Sequence, residues 1–222
     1  IMVGQLGTEQ MSGVAIVNQL IFVYNLAIFG AASAASIFGA QYFGKGNHEG
    51  HMYSFRFKLY ATVFVTILAI MLFVTNGENL ISLYLTDTAG TGATEVALQY
   101  GKQYLSIMLI GLIPFAITQS YATNIKETGQ TFVPMAASFV AVGSNAVLDY
   151  LLIFGIGPFP KLGVVGAALA TILARYIEAA IIVIWAHTHK EKNKYLAGAY
   201  RGIGMPMGEF KAILIKGFPL ML

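Results

Sequence analysis

The chain has 222 residues, 57% of them hydrophobic and only 10% charged, against roughly 25% charged in an average soluble domain. This excludes an ordinary water-soluble enzyme, and the lack of cysteine excludes disulfide frameworks, thiolate catalysis and cysteine-ligated metal centres. A net charge of +3, from 13 Lys and Arg against 10 Asp and Glu, supplies no basic field for nucleic acid.

A membrane-spanning helix takes about 20 apolar residues, and an ionised side chain within one costs about 3 kcal/mol, so charge-free runs mark the spans. No charge occurs between Glu9 and Lys45, which predicts a first span over 11–42. LYATVFVTILAIMLFVT predicts a second over 59–75, and further spans follow over 97–124, 131–154 and 164–187. A cytoplasmic loop over 188–205 precedes a sixth apolar run that starts within 206–222. The fold class is therefore an all-α polytopic membrane protein.

GKGNHEG, NGEN, KETGQT and GIGPFPKLG separate successive spans, as Gly, Asn and Pro clusters do at turns. Segment 76–96 reads as an outer connection whose short apolar stretch, Leu80 to Leu85, lies along the interface. Pro134 falls in the first turn of a span, where a missing N–H removes no helical bond. Pro114 falls inside the third span and predicts a kink.

Lysine and arginine set the orientation. Lys45, Arg56 and Lys58, then Lys126, then Lys190, Lys192, Lys194, Arg201, Lys211 and Lys216 occupy alternate connections, which the positive-inside rule makes cytoplasmic. The opposite side holds Lys102 and Lys161 with Glu9, Glu78, Asp87 and Glu95. The first span then descends from outside, which calls for an earlier span. The chain opens at Ile1 without a signal peptide and closes at Leu222 inside GFPLML, and so reads as an internal piece of a larger polytopic protein.

Asp149 is the outstanding residue, in SNAVLDYLLIFG near the outer end of the fourth span. Asn145 lies one turn before it and Ser138 eleven residues before it, all on one face. A carboxylate in that setting takes a proton, a cation or a cationic partner, unless it simply reaches interfacial water. Thr171, Arg175 and Glu178 form a second polar stripe, where Arg175 and Glu178 can neutralise each other and Thr171 can bond its i−4 carbonyl. In the first span Asn18, Asn25 and Ser36 share a face with Phe22 and Phe29 beside it, suited equally to interhelical bonding and to lining a substrate cavity. Ala31, Ala35 and Gly39 form a small-xxx-small series. His48, His51, His187 and His189 lack metal-site spacing and read as solvated loop residues, and the tyrosines, among them Tyr42, Tyr53 and Tyr84, as an interfacial belt. No metal site is expected beyond Na⁺ at Asp149.

NAVLDYLLIFGIGPFPKLGVVGAALAT, Asn145 to Thr171, resembles the junction of the fifth and sixth helices of the multidrug and toxic compound extrusion (MATE) transporters. VGQLGTEQMSGVAIVNQ, AQYFGKGNHEG and KETGQTFVPM resemble other segments of that family. The resemblance implies two pseudo-symmetric six-helix lobes: 1–205 is the amino-terminal lobe without its first helix, and 206–222 the start of the carboxy-terminal lobe. It implies a secondary antiporter, not an enzyme, in the bacterial inner membrane, without cofactor, exporting cationic or amphipathic compounds in exchange for Na⁺ or H⁺. Its cation site carries over to Asn145, Asp149, Thr171 and the backbone carbonyl of Ala167, with a further carboxylate on the missing helix; Asn18, Asn25 and Phe22 stand for the substrate cavity. Two alternatives are a related flippase for lipid-linked saccharides, which the single intramembrane arginine, Arg175, supports poorly, and a non-transporting membrane scaffold.

Overall fold

The computed structural model describes residues 3–85, 91–201 and 204–217. Seven α-helices cover most of them: α1 Thr8–Gly44, α2 His48–Leu85, α3 Thr91–Met108, α4 Leu112–Glu127, α5 Phe132–Phe154, α6 Val164–Thr188 and α7 Met207–Gly217. Short 3-10 turns occupy Val3–Gln5, Leu109–Gly111 and Lys194–Leu196. Five stretches, 8–44, 48–85, 92–127, 132–154 and 164–188, are long and apolar enough to cross a membrane. The protein is thus an all-α, multi-pass membrane protein. Asp87 and the terminal run from 218 lie outside the described residues.

The helix limits follow local chemistry. Asn47 Oδ1 accepts the Gly50 N–H at 2.9 Å and caps the start of α2. Between α5 and α6 the chain turns through Gly155 at φ 70°, where an added Cβ would stand 2.6 Å from the Lys161 backbone nitrogen. Only glycine fits there on both counts.

The expected break at NGEN does not occur, because α2 continues unbroken to Leu85. Gly77 serves there by its size rather than as a turn: an added Cβ would stand 2.8 Å from Leu105 Cδ2. Glu78 pairs with Lys102 at 2.5 Å, and Ile81 and Leu85 are buried. The apolar stretch 80–85 therefore belongs to the last turns of α2, with Ile81 and Leu85 against protein and Leu83 and Tyr84 exposed.

Contacts divide the chain into two compact units. The first gathers residues 1–25, 67–113 and 140–177. In it, an added Cβ at Gly13 would meet the Ala97 carbonyl and stand 2.8 Å from the Gly101 nitrogen, so α1 and α3 touch backbone to backbone. Ahead of Pro114 the helix tightens into the 3-10 turn Leu109–Gly111, because a proline has no N–H for the preceding turn. Two carbonyls of this irregular stretch gain side-chain donors: Arg175 Nη1 bonds Gly111 O at 3.0 Å, and Tyr24 Oη bonds Leu112 O at 2.9 Å. The kink is thereby kept satisfied at membrane depth.

The second unit gathers residues 26–66, 114–139 and 178–222. Its core joins Phe55, Tyr121, Ile125, Ile182, Ala186 and Tyr195, with Phe55 edge-on to Tyr121 at 5.0 Å. Beside it lies a buried polar network. Lys58 Nζ donates to Asn124 Oδ1 at 2.7 Å and pairs with Glu127, whose other oxygen lies 3.2 Å from His51 Nε2. His51 is accordingly 1% exposed and belongs to the packed interior, unlike the solvated loop residue expected from sequence. Arg56 fastens the segment after α6, donating to the carbonyls of Gly198 (2.7 Å), Ala199 (2.9 Å) and Gly204 (2.6 Å). Tyr195 in the same segment is almost wholly buried, which pushes its phenol above its ordinary range and keeps it protonated.

Candidate functional site

The first unit carries the residues with chemical potential. Asn145 and Asp149 lie one turn apart on α5. Asn145 Nδ2 and Asp149 Oδ1 are both buried, and neither has a hydrogen-bond partner among the described residues. A buried polar group without a partner costs about 1–3 kcal/mol, and more when charged. Two such groups lie one turn apart on the same face of α5.

On α6, Thr171 Oγ1 donates to the Ala167 carbonyl at 3.0 Å. The pair expected to supply a hydroxyl and a carbonyl is therefore already in contact, and each oxygen keeps a lone pair for a further partner. α6 lies very close to α5 because residue 166 is glycine: an added Cβ would stand 2.5 Å from Leu152 O. The connection is fastened by Leu162 N–H to Leu152 O at 2.9 Å and Gly163 N–H to Ile153 O at 3.3 Å. The end of α5 and the start of α6 are thus held together by a small residue and two backbone bonds.

Tyr104 on α3 completes this set. It is 3% exposed, donates to Asn18 Oδ1 at 3.3 Å, and lies near Thr171 and Asp149. Sequence reasoning grouped Tyr104 with the interfacial belt. Tyr24, Tyr104, Tyr121 and Tyr195 are in fact buried and bonded or packed inside, while Tyr60, Tyr84, Tyr150 and Tyr176 are exposed. The signal available in sequence is position: Tyr104 lies well inside a predicted span rather than at its end.

The expected cavity residues separate. Asn18 bonds Tyr104, Asn25 keeps a buried and unpartnered Oδ1, and Phe22 is 54% exposed. Ser36 instead returns its hydroxyl to Ala32 O at 2.9 Å. Arg175 and Glu178 each have another partner: Arg175 serves the Gly111 carbonyl, and Glu178 accepts a bond from Ser138 at 2.5 Å. Among the described residues no three His, Cys, Asp or Glu side chains gather as a metal cluster. The candidate donors on α5 and α6 are a carboxylate, an amide, a hydroxyl and a carbonyl, groups whose chemistry suits an alkali-metal ion or a proton.

Membrane-length helices, one of them carrying a half-buried carboxylate, define a segment of a polytopic membrane protein. The chain belongs to the MatE family, whose profile matches residues 1–151. It is 29% identical over 220 residues to a probable multidrug resistance protein NorM of Thermotoga maritima, covering 97% of this chain and 44% of that protein. It is 27% identical over 175 residues to a FAD transporter of Shewanella oneidensis, covering 78% of this chain and 36% of that one. Its fold matches a solved outward-facing multidrug resistance MATE family transporter of the MOP superfamily with a TM-score of 0.82, at 21% identity over 99% of this chain and 46% of that one. The chain spans less than half the length of these relatives. It is a multi-pass protein of the bacterial plasma membrane.

Proposed function

We propose that the protein exports cationic or amphipathic compounds in exchange for Na⁺ or H⁺, with Asp149, Asn145, Thr171 and the Ala167 carbonyl as the coupling-ion site of this segment. The buried, unpartnered oxygen of Asp149, one turn from an unpartnered Asn145 amide, carries this reading. An entering Na⁺ would satisfy the Asp149 carboxylate together with the α6 oxygens, and an entering proton would turn it into a donor. Either change alters what α5 holds toward α6, and Tyr104 links the site to α1 through Asn18. Binding and release of the ion thereby bias the packing of three helices, which is how ion entry is coupled to substrate exit.

Asp149→Asn in the full-length protein tests the reading. The variant keeps the shape of the side chain, so expression and membrane insertion stay normal, while ethidium export from proteoliposomes driven by a Na⁺ or pH gradient is lost. Undiminished gradient-driven export contradicts the assignment.

A further inference from the structure

A second polar site lies in the other unit and shares no residue with the Asp149 site. α4, α5 and α6 line a half-open cavity of about 150 Å³ whose walls include Thr118, Gln119, Ser138, Glu178, Met135 and Ile182. Glu178 stands in the middle of α6, and one carboxylate oxygen accepts the Ser138 hydroxyl at 2.5 Å. Among the described residues the ion pairs are His51 and Lys58 with Glu127 and Lys102 with Glu78, so Glu178 has no cationic partner. Lys126 lines the same cavity without approaching Glu178 closely enough to pair.

Thr118 gives the second observation. Helical hydroxyls in this protein usually return to the i−4 carbonyl, as at Thr62 (2.8 Å), Thr66 (2.7 Å), Ser120 (3.0 Å) and Thr123 (2.7 Å). Thr118, four residues after Pro114, does not. It is 1% exposed, lines the cavity, and its Oγ1 has no hydrogen-bond partner. A buried hydroxyl left unsatisfied costs about 1–3 kcal/mol, which a bound donor removes. The cavity therefore offers the Glu178 carboxylate, with the Lys126 ammonium in the lining but outside pairing distance, acceptor oxygens from Glu178, Thr118 and Gln119, and an apolar wall from Met135 and Ile182.

Size selects among cations. A water molecule takes about 30 Å³ of liquid volume, so this space is several times larger than a bare alkali ion needs and offers it a single carboxylate. A protonated amine with a short apolar body fits better, because its N–H groups meet the oxygens while its carbons meet Met135 and Ile182. We infer that the cavity of Thr118, Gln119, Ser138 and Glu178 is a recognition subsite for the ammonium group of amphipathic organic cations. The inference rests on the reading of the protein as a cation exporter and adds residues that choose the substrate.

Calorimetric binding of 2-phenylethylammonium and its neutral isostere 2-phenylethanol to the purified full-length protein tests it. The wild type should prefer the ammonium by about tenfold, as a charge-assisted bond to a half-buried carboxylate provides. Glu178→Gln should abolish that preference, Glu178→Asp should restore part of it, and Thr118→Val should weaken ammonium binding by about fivefold. An unchanged preference in Glu178→Gln overturns the inference, as does a wild type that binds no ammonium while exporting dye under an ion gradient. Ammonium binding that depends on Glu178, in a protein without ion-driven export, overturns the antiporter reading and leaves the subsite standing.

Discussion

Asp149 and Asn145 show how far a single helix can be read from its residues. Their spacing and apolar setting place both side chains on one face, and the structure leaves a buried atom of each without a partner. Thr171 stands out in the sequence as part of a polar stripe, but its place in the site, like that of Ala167, follows only from the family resemblance, since a hydroxyl on an apolar helix is as often silent as functional. Tyr104 was missed because its value depends on contacts from α1 and α6 that no pattern within α3 reveals. Tyr104→Phe removes one buried hydrogen bond, worth about 1 kcal/mol. We expect it to weaken the coupling ion's apparent affinity by about fivefold with the protein still folded, as read from the ion dependence of dye export. An unchanged ion dependence would remove Tyr104 from the site.

Lys58 and His51 teach the opposite lesson at the same scale. In sequence they belong to a charged connection, and charge alone gives no sign that Lys58 is fully buried among Asn124 and Glu127. Truncating one partner of a buried ion pair costs about 3–5 kcal/mol because it strands the other charge. Lys58→Met should therefore lower the melting temperature markedly in detergent, and adding Glu127→Gln should recover part of the loss. Equal stability of Lys58→Met and wild type would show that the pair is not the anchor described.

At the scale of elements, the five membrane-length helices were legible because charge-free runs have a minimum length in lipid. The Pro114 kink was legible too, since a missing N–H must disturb the preceding turn, here Leu109–Gly111. The continuation of α2 through NGEN was not, because whether Gly77 turns or packs depends on Leu105 from another helix. Gly166 makes a similar contact with direct consequences for function. A methyl group at 166 must push α6 away from Leu152 O, now 2.5 Å from where it would stand, and so carry Ala167 and Thr171 away from Asn145 and Asp149. Gly166→Ala should lower ion-driven export more than Gly13→Ala does, while both lower thermal stability by about 1–3 kcal/mol. Export held at the wild-type level in Gly166→Ala would contradict the coupling of close packing to the site.

For the whole molecule, charge is scarce at 10%, and Lys45, Lys161, Lys190, Lys192, Lys194 and Arg201 stand between the α-helices, where the positive-inside rule assigns each connection to a side of the membrane. That assignment can be checked directly because this chain contains no cysteine. Single cysteines at the exposed positions Lys161 and Lys194 should react with a membrane-impermeant maleimide from opposite sides, Lys161→Cys from outside and Lys194→Cys only after the membrane is opened. Labelling of both from one side would reverse or break the topology. With the orientation fixed, the central claim is that export is coupled to an ion taken up at Asp149. The most direct measurement follows ²²Na⁺ entry and proton entry against ethidium exit in proteoliposomes of the full-length protein and of Asp149→Asn. The account predicts that one of the two ions enters in step with dye leaving the wild type, and that Asp149→Asn loses both fluxes together. Dye export without entry of either ion, or coupled flux preserved in Asp149→Asn, would contradict it.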